Sequence, residues 1–528
     1  MADHEPDLTK LLQPVQGPEL VIGLVGPIGT DLKLVQKILS EELEKVGYQS
    51  IDIQLTELLQ ALDIGLRLKS SPLEERYSSY IDAGNKLRQI TGRQDVFALL
   101  SVLAVQQKRT QLTGRKDDPA SHTAYVLHQF KRPEEIRTLR KIYGRGFIQI
   151  SAYCSKERRL DRLSRSIKES HHGEHRAEYY KGKAFDLINR DDAEEEEPSG
   201  QRVRDTFPLA DAVVDAESEP TISNSCARFI RAYFGDNFVT PTVDEYGAYA
   251  AKATSLRSAD LSRQVGAVIM HPTGEIISMG CNEVPKAGGG TYWEGDENDS
   301  RDFVLGYDSS AKAKKEMLED IFRRLKQGWL HPDKQRLSIP DLVEQSEALM
   351  RDAHFMDVLE FGRIVHAEMS AISDAARLGR SIKGATLYST TFPCHICARH
   401  IVASGIHRVV YMEPYSKSLA LDLYGDSIQI GRFEDPPKSM ITFEQFVGIG
   451  PERYAEMFSK GKRKDSKGVA LKWNPDKAEP ILERIVPAYL QIETAVLGAL
   501  SPIVRGLSNS KRGKRKSASV KRSKRIRH

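Results

Sequence analysis

Ile364–His400 reads "IVHAEMSAISDAARLGRSIKGATLYSTTFPCHICARH", and the reading of this stretch decides the fold of the second half of the chain. Apolar residues recur at helical spacing after His366, and β-branched residues crowd "GATLYSTT". Pro393 stands where a helix can begin without losing a hydrogen bond. The stretch is therefore expected to fold as a helix carrying His366, a strand, and a second helix beginning at Pro393.

The same stretch carries donor chemistry. Thiolate and imidazole are the preferred ligands of Zn²⁺, and a catalytic zinc keeps three protein ligands with the fourth tetrahedral position left for water. His366, Cys394 and Cys397 supply that set. The two cysteines are three residues apart at a helix start, so both sulfurs face one side, and a helix N-terminus favours the thiolate. Glu368, two residues from His366, is placed to take a proton from water and pass it on. The competing readings of C-x-x-C are half of a structural zinc ribbon or a redox pair. A ribbon needs a second C-x-x-C, which the chain lacks, and a redox pair leaves His-Ala-Glu without a part.

H-x-E followed by P-C-x-x-C is the signature of zinc nucleobase deaminases. With "VHAEMSAI", "TLYSTTFPCHICARHIVASGIHRVVYMEPY" and the upstream "RSADLSRQVGAVIMHPTGEIISMGCNEVP", residues 243–432 resemble the deoxycytidylate deaminase family, with an insertion inside the match. The resemblance implies a mixed sheet with helices on both faces, a catalytic zinc, hydrolytic attack at C4 of cytosine, and Glu368 as the group that protonates N3 and then the departing amine. It also implies self-association. Asn282 matches the family's sugar-contacting asparagine, although Glu283 follows where the family has glycine. Arg257, Arg263 and Lys286 flank the same region as candidate phosphate contacts.

Working outward, "RQVGAVIMHPTGEIISMGCN" reads as a β-hairpin turning at His271 to Gly274, "HRVVYM" as a strand, and Pro285 to Glu360 as a mostly polar insertion. Further upstream, "PELVIGLVGPIG" is an apolar β-branched run ending in glycines. "TDLKLVQKILSEELEKVG" has helical spacing, and "YQSIDIQL", "GFIQISAY" and "ADAVVDA" read as strands. A strand, glycine turn, helix and strand open a parallel α/β sheet with room for an anion at the first turn. "GLVGPIGTDLKLV" resembles the phosphate loop of nucleotide kinases. The register from Gly26 puts Asp31, Leu32 and Lys33 where glycine, lysine and serine or threonine belong, and no register fits. Gly26, Gly29, Thr30 and Lys33 are the candidate contacts for a nucleotide bound without hydrolysis, which is expected to regulate deamination.

The fold class is therefore α/β: a parallel-sheet, P-loop kinase-like domain followed by a cytidine-deaminase-like mixed-sheet α/β/α domain. The expected divisions are an N-terminal lead (1–18), the kinase-like domain (19–235), the deaminase domain (240–450), a helical extension (451–507) and a basic tail (508–528). Residues 19–450 resemble the long bacterial deaminases of antiviral defence, which implies depletion of dCTP.

Composition narrows the partners. The chain has 528 residues, net charge +4 and five cysteines, a number that describes no disulfide framework and fits a reducing, cytoplasmic setting. The N-terminus has acids where a signal peptide needs a basic patch. "IVPAYLQIETAVLGALSPIV" (Ile485 to Val504) carries Glu493 and two prolines, which argue for a buried or amphipathic helix rather than a membrane span. The last eighteen residues hold ten Lys or Arg and no acid, a charge run that could meet nucleic acid. Three functions remain open: a deaminase of free dCTP or dCMP, a polynucleotide deaminase acting on tRNA or single-stranded DNA, and a nucleotide-sensing regulator with a structural zinc.

Overall fold

The computed structural model describes residues 17–481 and 488–499, apart from 174–175, 194–196, 351–352, 359, 416–417, 434–436 and 438. The basic tail, most of the N-terminal lead and the end of the apolar segment beyond residue 499 lie outside the described residues. The chain forms two compact units. The first joins the residues up to Pro241 with those from Val447 onward, and the second is Thr242–Phe446.

The first unit is built on a six-stranded sheet with the order β12-β5-β4-β1-β3-β2. Its strands are β1 (Leu20–Val25), β2 (Gln49–Gln54), β3 (Thr123–Phe130), β4 (Phe147–Tyr153), β5 (Ala212–Asp215) and the two-residue β12 (Gly448–Ile449). The first five run parallel, and β12 joins β5 antiparallel. All six residues of β1 are buried, as a central parallel strand covered on both faces requires. Helices α1 (Leu32–Glu44) and α7 (Glu219–Tyr233) pack on one face through Val35, Leu39, Leu43, Ile222 and Phe229. Helices α3 (Val96–Thr113) and α4 (Pro133–Tyr143) cover the other through Val102, Val105, Ile136 and Leu139. Two more helices, α2 (Leu73–Thr91) and α5 (Lys156–Ser170), flank α6 (Ala177–Ala193). Strand β3, in the segment "AYVLHQF", fills the slot between β1 and β2, which the sequence reading left without a strand.

The residues after Val447 are woven back into this unit, whereas the sequence reading kept 240–450 together and set 451–507 apart. The Trp473 indole donates to the Phe234 carbonyl (3.0 Å), and the Ile481 N–H donates to that of Tyr233 (2.8 Å). Residues 489–499 are helical, and Glu493 is fully buried. Its carboxylate receives both terminal nitrogens of Arg109 (2.6 and 2.9 Å), while the Arg109 Nε lies 2.9 Å from both oxygens of Glu19. Arg109 is itself 0% exposed. The hydroxyls of Tyr489 and Tyr125 donate to Glu19 (2.7 and 3.0 Å), completing the partners a buried charge cluster needs.

The second unit is a six-stranded mixed sheet with the order β10-β11-β9-β8-β6-β7. Its strands are β6 (Gly266–Met270), β7 (Ile276–Cys281), β8 (Thr386–Thr391), β9 (Arg408–Glu413), β10 (Ile428–Ile430) and β11 (Ile441–Gln445). The β6–β7 hairpin turns at His271 to Gly274, where the Gly274 N–H donates to the His271 carbonyl at 2.8 Å. One face carries α8 (Val243–Ser255); the other carries α11 (Ala367–Arg377) and α12 (His395–Ser404), packed through Ala371, Ala375, Ala398 and Ile401. The segment read as a polar insertion is largely helical. Helices α9 (Ser309–Leu325) and α10 (Ile339–Met350) close on a small core of Leu318, Phe322, Leu342 and Val343. Among the described residues, no helix is long and apolar enough to cross a membrane.

Removing Glu493 leaves Arg109 paired with Glu19 but takes the second carboxylate from its terminal nitrogens, and buried donors left short of a partner cost about 1–3 kcal/mol. Glu493→Ala is accordingly expected to destabilise the first unit by about that amount, read as a fall in its denaturation midpoint. A change within error of zero would mean that the C-terminal helix is not anchored by Arg109.

Candidate metal centre and active site

Two helix starts converge to make the site. His366 is the N-cap residue of α11, Cys394 is that of α12, and Cys397 lies in the first turn of α12. Strand β8 lies between the two helices in the chain, and the helices pack directly on each other. The approach of α11 to the sheet is close. A Cβ on Gly280 of β7 would lie 2.3 Å from the Ala367 carbonyl oxygen and 2.4 Å from the Ala371 nitrogen, so only glycine lets the first turn of α11 seat there.

The Nδ1 atom of His366 lies 3.3 Å from Cys394 Sγ and 3.4 Å from Cys397 Sγ. Two ligands on a tetrahedral zinc, with Zn–S near 2.3 Å and Zn–N near 2.0–2.1 Å, would stand about 3.5 Å apart, so the donors fit the ion. The thiols make the same point chemically. Cys394 is held down to about 4 by the hydrogen bond from Cys397 and by His366. Cys397 is pushed well up by the Cys394 sulfur beside it and by burial. The Cys394 thiolate, the Cys397 thiol and one imidazole form a donor set that a cation completes, with Cys397 giving up its proton on binding. Zn²⁺ is the metal this donor set holds, and among the described residues these three form the one cluster with metal-ligand geometry. All five cysteines are free and buried.

Glu368, in the first turn of α11, is 3% exposed. The Ser389 hydroxyl of β8 donates to its Oε1 at 3.0 Å, and burial, then the charge of Cys394, raises its pKa above the usual carboxylate value. His366, Glu368 and Cys394 share a cavity of about 620 Å³ with Asn282, Arg263, Asp260, Phe392 and Tyr415. The insertion supplies part of the wall, including Ser309, Ser310, Lys314 and Lys315.

The candidate substrate contacts divide. Asn282 lies on the cavity wall with its amide engaged: Oδ1 accepts from the Ala367 N–H (3.0 Å), and Nδ2 donates to Asp260 (3.0 Å) and to the Arg263 carbonyl (3.1 Å). It therefore pins the residue between His366 and Glu368. Arg263 also lines the cavity and is paired at its rim with Glu413 (2.7 Å). Arg257 and Lys286 do not line the cavity. Arg257 donates to the Tyr292 carbonyl (3.0 Å) and stacks on Trp293 (3.6 Å to the ring centroid), and Lys286 pairs with Asp296 (2.6 Å), so both brace the loop after β7. Glu283 turns inward, accepting from the Ala259 (3.1 Å) and Val284 (2.9 Å) N–H groups, which gives a carboxylate a use at a position where glycine was expected. Sequence reasoning missed Ser389, Lys314 and Lys315. The cap residue Asp308 followed by amphipathic "SSAKAKKEMLEDIFRRL" is the signal that could have found the lysine-bearing helix.

Residues 241–413 match the family model described as the cytidine and deoxycytidylate deaminase zinc-binding region. The deoxycytidylate deaminase of Enterobacteria phage T2 is 54% identical over 54 residues, which is 10% of this chain and 29% of that protein. The chain thus spans less than a third of that curated relative's length. Among solved structures, the cyanophage S-TIM5 dCMP deaminase in complex with dCMP and dUMP aligns at 18% identity and a TM-score of 0.22, covering 39% of this chain and 98% of that one. A gluconokinase from Sinorhizobium meliloti 1021 aligns at 12% identity and a TM-score of 0.21, covering 41% of this chain and 93% of that one.

Metal analysis tests the ligand set. The wild-type chain is expected to carry stoichiometric zinc and Cys394→Ser to lose most of it; zinc that stays stoichiometric in the variant would overturn the assignment.

Proposed function

We propose that the chain is a zinc-dependent hydrolytic deaminase of free deoxycytidine nucleotides, dCTP or dCMP, forming the deoxyuridine nucleotide and ammonia. The observation that carries this reading is a buried carboxylate, Glu368, beside the His366–Cys394–Cys397 donor set on the wall of one nucleotide-sized cavity. Zinc held by those three residues supplies Lewis acidity, which makes water a nucleophile near neutral pH. Glu368 takes one proton from the water that attacks C4 and delivers it to N3, then takes the proton of the new C4 hydroxyl as the carbonyl forms and passes it to the amine, which leaves as ammonia when the C4–N bond breaks. Ser389 fixes the carboxylate through its hydrogen bond to Oε1. Asn282 holds the start of α11, so that His366 and Glu368 keep their spacing.

At the insertion side of the cavity, Lys315 and Lys314, whose ammonium also donates to the Met356 carbonyl (2.6 Å), provide cationic charge for the substrate phosphates, while Arg263 is shared with Glu413 at the rim. The acids in the same wall are already engaged: Asp302 by Ser309 and Arg363, Asp308 by Ala311 and Ser262, and Asp260 by Asn282 and Ser262. A wall completed by the insertion favours a free nucleotide over a polynucleotide. The role proposed for the activity is depletion of dCTP in defence against phage, supported by the resemblance of residues 19–450 to two-domain defence deaminases; self-association is proposed on the same ground.

Incubation with dCTP, dCMP, CTP and a cytosine-containing oligonucleotide, with uracil products read out, tests the substrate class. Conversion of a free deoxycytidine nucleotide is expected, and conversion of the oligonucleotide alone would overturn the reading. Glu368→Gln is expected to keep its zinc and lose at least ~10²-fold in turnover; near wild-type turnover would remove Glu368 from the chemistry. Lys315→Ala is expected to raise KM for the nucleotides about tenfold while leaving kcat and the KM for unphosphorylated deoxycytidine unchanged. Equal rises for nucleotide and nucleoside would exclude a phosphate contact.

A further inference from the structure

The turn after β1 in the first unit is occupied by the protein itself. In a parallel α/β sheet this turn and the helix that follows direct backbone N–H groups at an anion. Here the Ile28 N–H donates at 2.9 Å to Oδ2 of Asp191, which comes from α6 far along the chain. The second oxygen, Oδ1, lies 3.3 Å from the Lys131 ammonium, which also donates to the Gly26 carbonyl at 3.2 Å. Asp191 is only 4% exposed. A carboxylate held by a main-chain N–H and a lysine meets the contacts that would hold a phosphoryl oxygen.

Around this contact lies a cavity of about 460 Å³, whose lining includes Thr30, Lys33, Lys131, Arg162, Asp191 and Gln201 together with the rings of Tyr77, Tyr80 and Phe97. Gln201 is 9% exposed, and its Oε1 has no hydrogen-bond partner; neither has the buried hydroxyl oxygen of Thr30. Unpartnered polar groups in a closed interior are rare and call for an occupant. The loop is closely packed on its neighbours. Gly29 has φ +88°, and a Cβ there would lie 2.9 Å from the Arg159 carbonyl oxygen, while Leu32, where a phosphate-binding lysine would stand, is buried in the core.

We propose that Asp191 is an internal stand-in for a phosphate group, and that the cavity takes a phosphate ester bearing a planar polar group only when Asp191 leaves the Ile28 N–H and releases Lys131. The loop then receives the phosphate, and Gln201 with the aromatic wall receives the ring. Two anions cannot share that N–H and that lysine, so Asp191 sets the affinity of the site.

The proposal concerns the first unit alone and is tested with inorganic pyrophosphate on the full chain, independently of deamination. Titration calorimetry is expected to give at least tenfold tighter binding to Asp191→Asn than to the wild type, because the repelling charge is gone, and Asp191→Asn combined with Lys131→Ala is expected to lose the gain. The second unit is the same in all three proteins, so the difference reads the first. Equal affinities for wild type and Asp191→Asn, with matching melting temperatures, would overturn the proposal. Should Asp191→Asn fail to fold, hydrogen exchange on the wild type decides: saturating pyrophosphate is expected to protect residues 26–33 and expose the end of α6, and unchanged exchange in both would overturn it.

Discussion

Helix α11 lies so close on β7 that its backbone fills the space of a side chain at residue 280, and the metal centre depends on that approach. A helix start can hold a ligand only if it is fixed in depth and rotation. Gly280 fixes the depth, and the Asn282 amide, bonded to the Ala367 N–H, fixes the rotation. Gly280 stands on the edge strand β7 and Asn282 just past its end, two positions apart, and between them they place His366 and Glu368. On the facing side, Cys394 and Cys397 are carried by α12, which packs directly on α11. Three donor atoms and one buried carboxylate are thus located by main-chain packing, with little left to side-chain adjustment.

Much of this was legible in the sequence, because the donor groups are local. His366 and Glu368 sit two apart, Cys394 and Cys397 three apart, and both pairs flank a strand with a clear β-branched pattern. The hairpin ending at Cys281 was legible for the same reason: period-two alternation around His271 to Gly274 is a short-range signal. Arg257 and Lys286 were not, since a long cationic side chain near a site can reach a phosphate or a neighbouring ring or carboxylate, and only coordinates distinguish Trp293 and Asp296 from a ligand. Strand β3 was overlooked because its apolar run passes straight into a charged helix with no glycine turn between them.

The insertion illustrates another limit. Its charged composition marked it only as a mostly polar insertion, yet Leu318, Phe322, Leu342 and Val343 suffice to close two amphipathic helices on each other. Composition averages over both faces of a helix, and the apolar stripe disappears in the average. Likewise, nothing near Gly26 announces that the anion at its loop is Asp191, a residue 163 positions from the Ile28 it binds. Contacts of that range belong to topology rather than to pattern.

The chain crosses from the first unit into the second and back again, and the return strand and helix supply β12, Trp473 and Glu493 to the unit that began the chain. The order of synthesis therefore differs from the order of completion. Arg109 and Glu493 are 384 residues apart, about 20–80 s of translation at ~5–20 residues per second. Throughout that interval Arg109 and Glu19 lack the Glu493 carboxylate that completes their cluster, while the whole of Thr242–Phe446 is made and free to fold. The deaminase-like unit can thus be finished on the ribosome before the sheet that precedes it is closed.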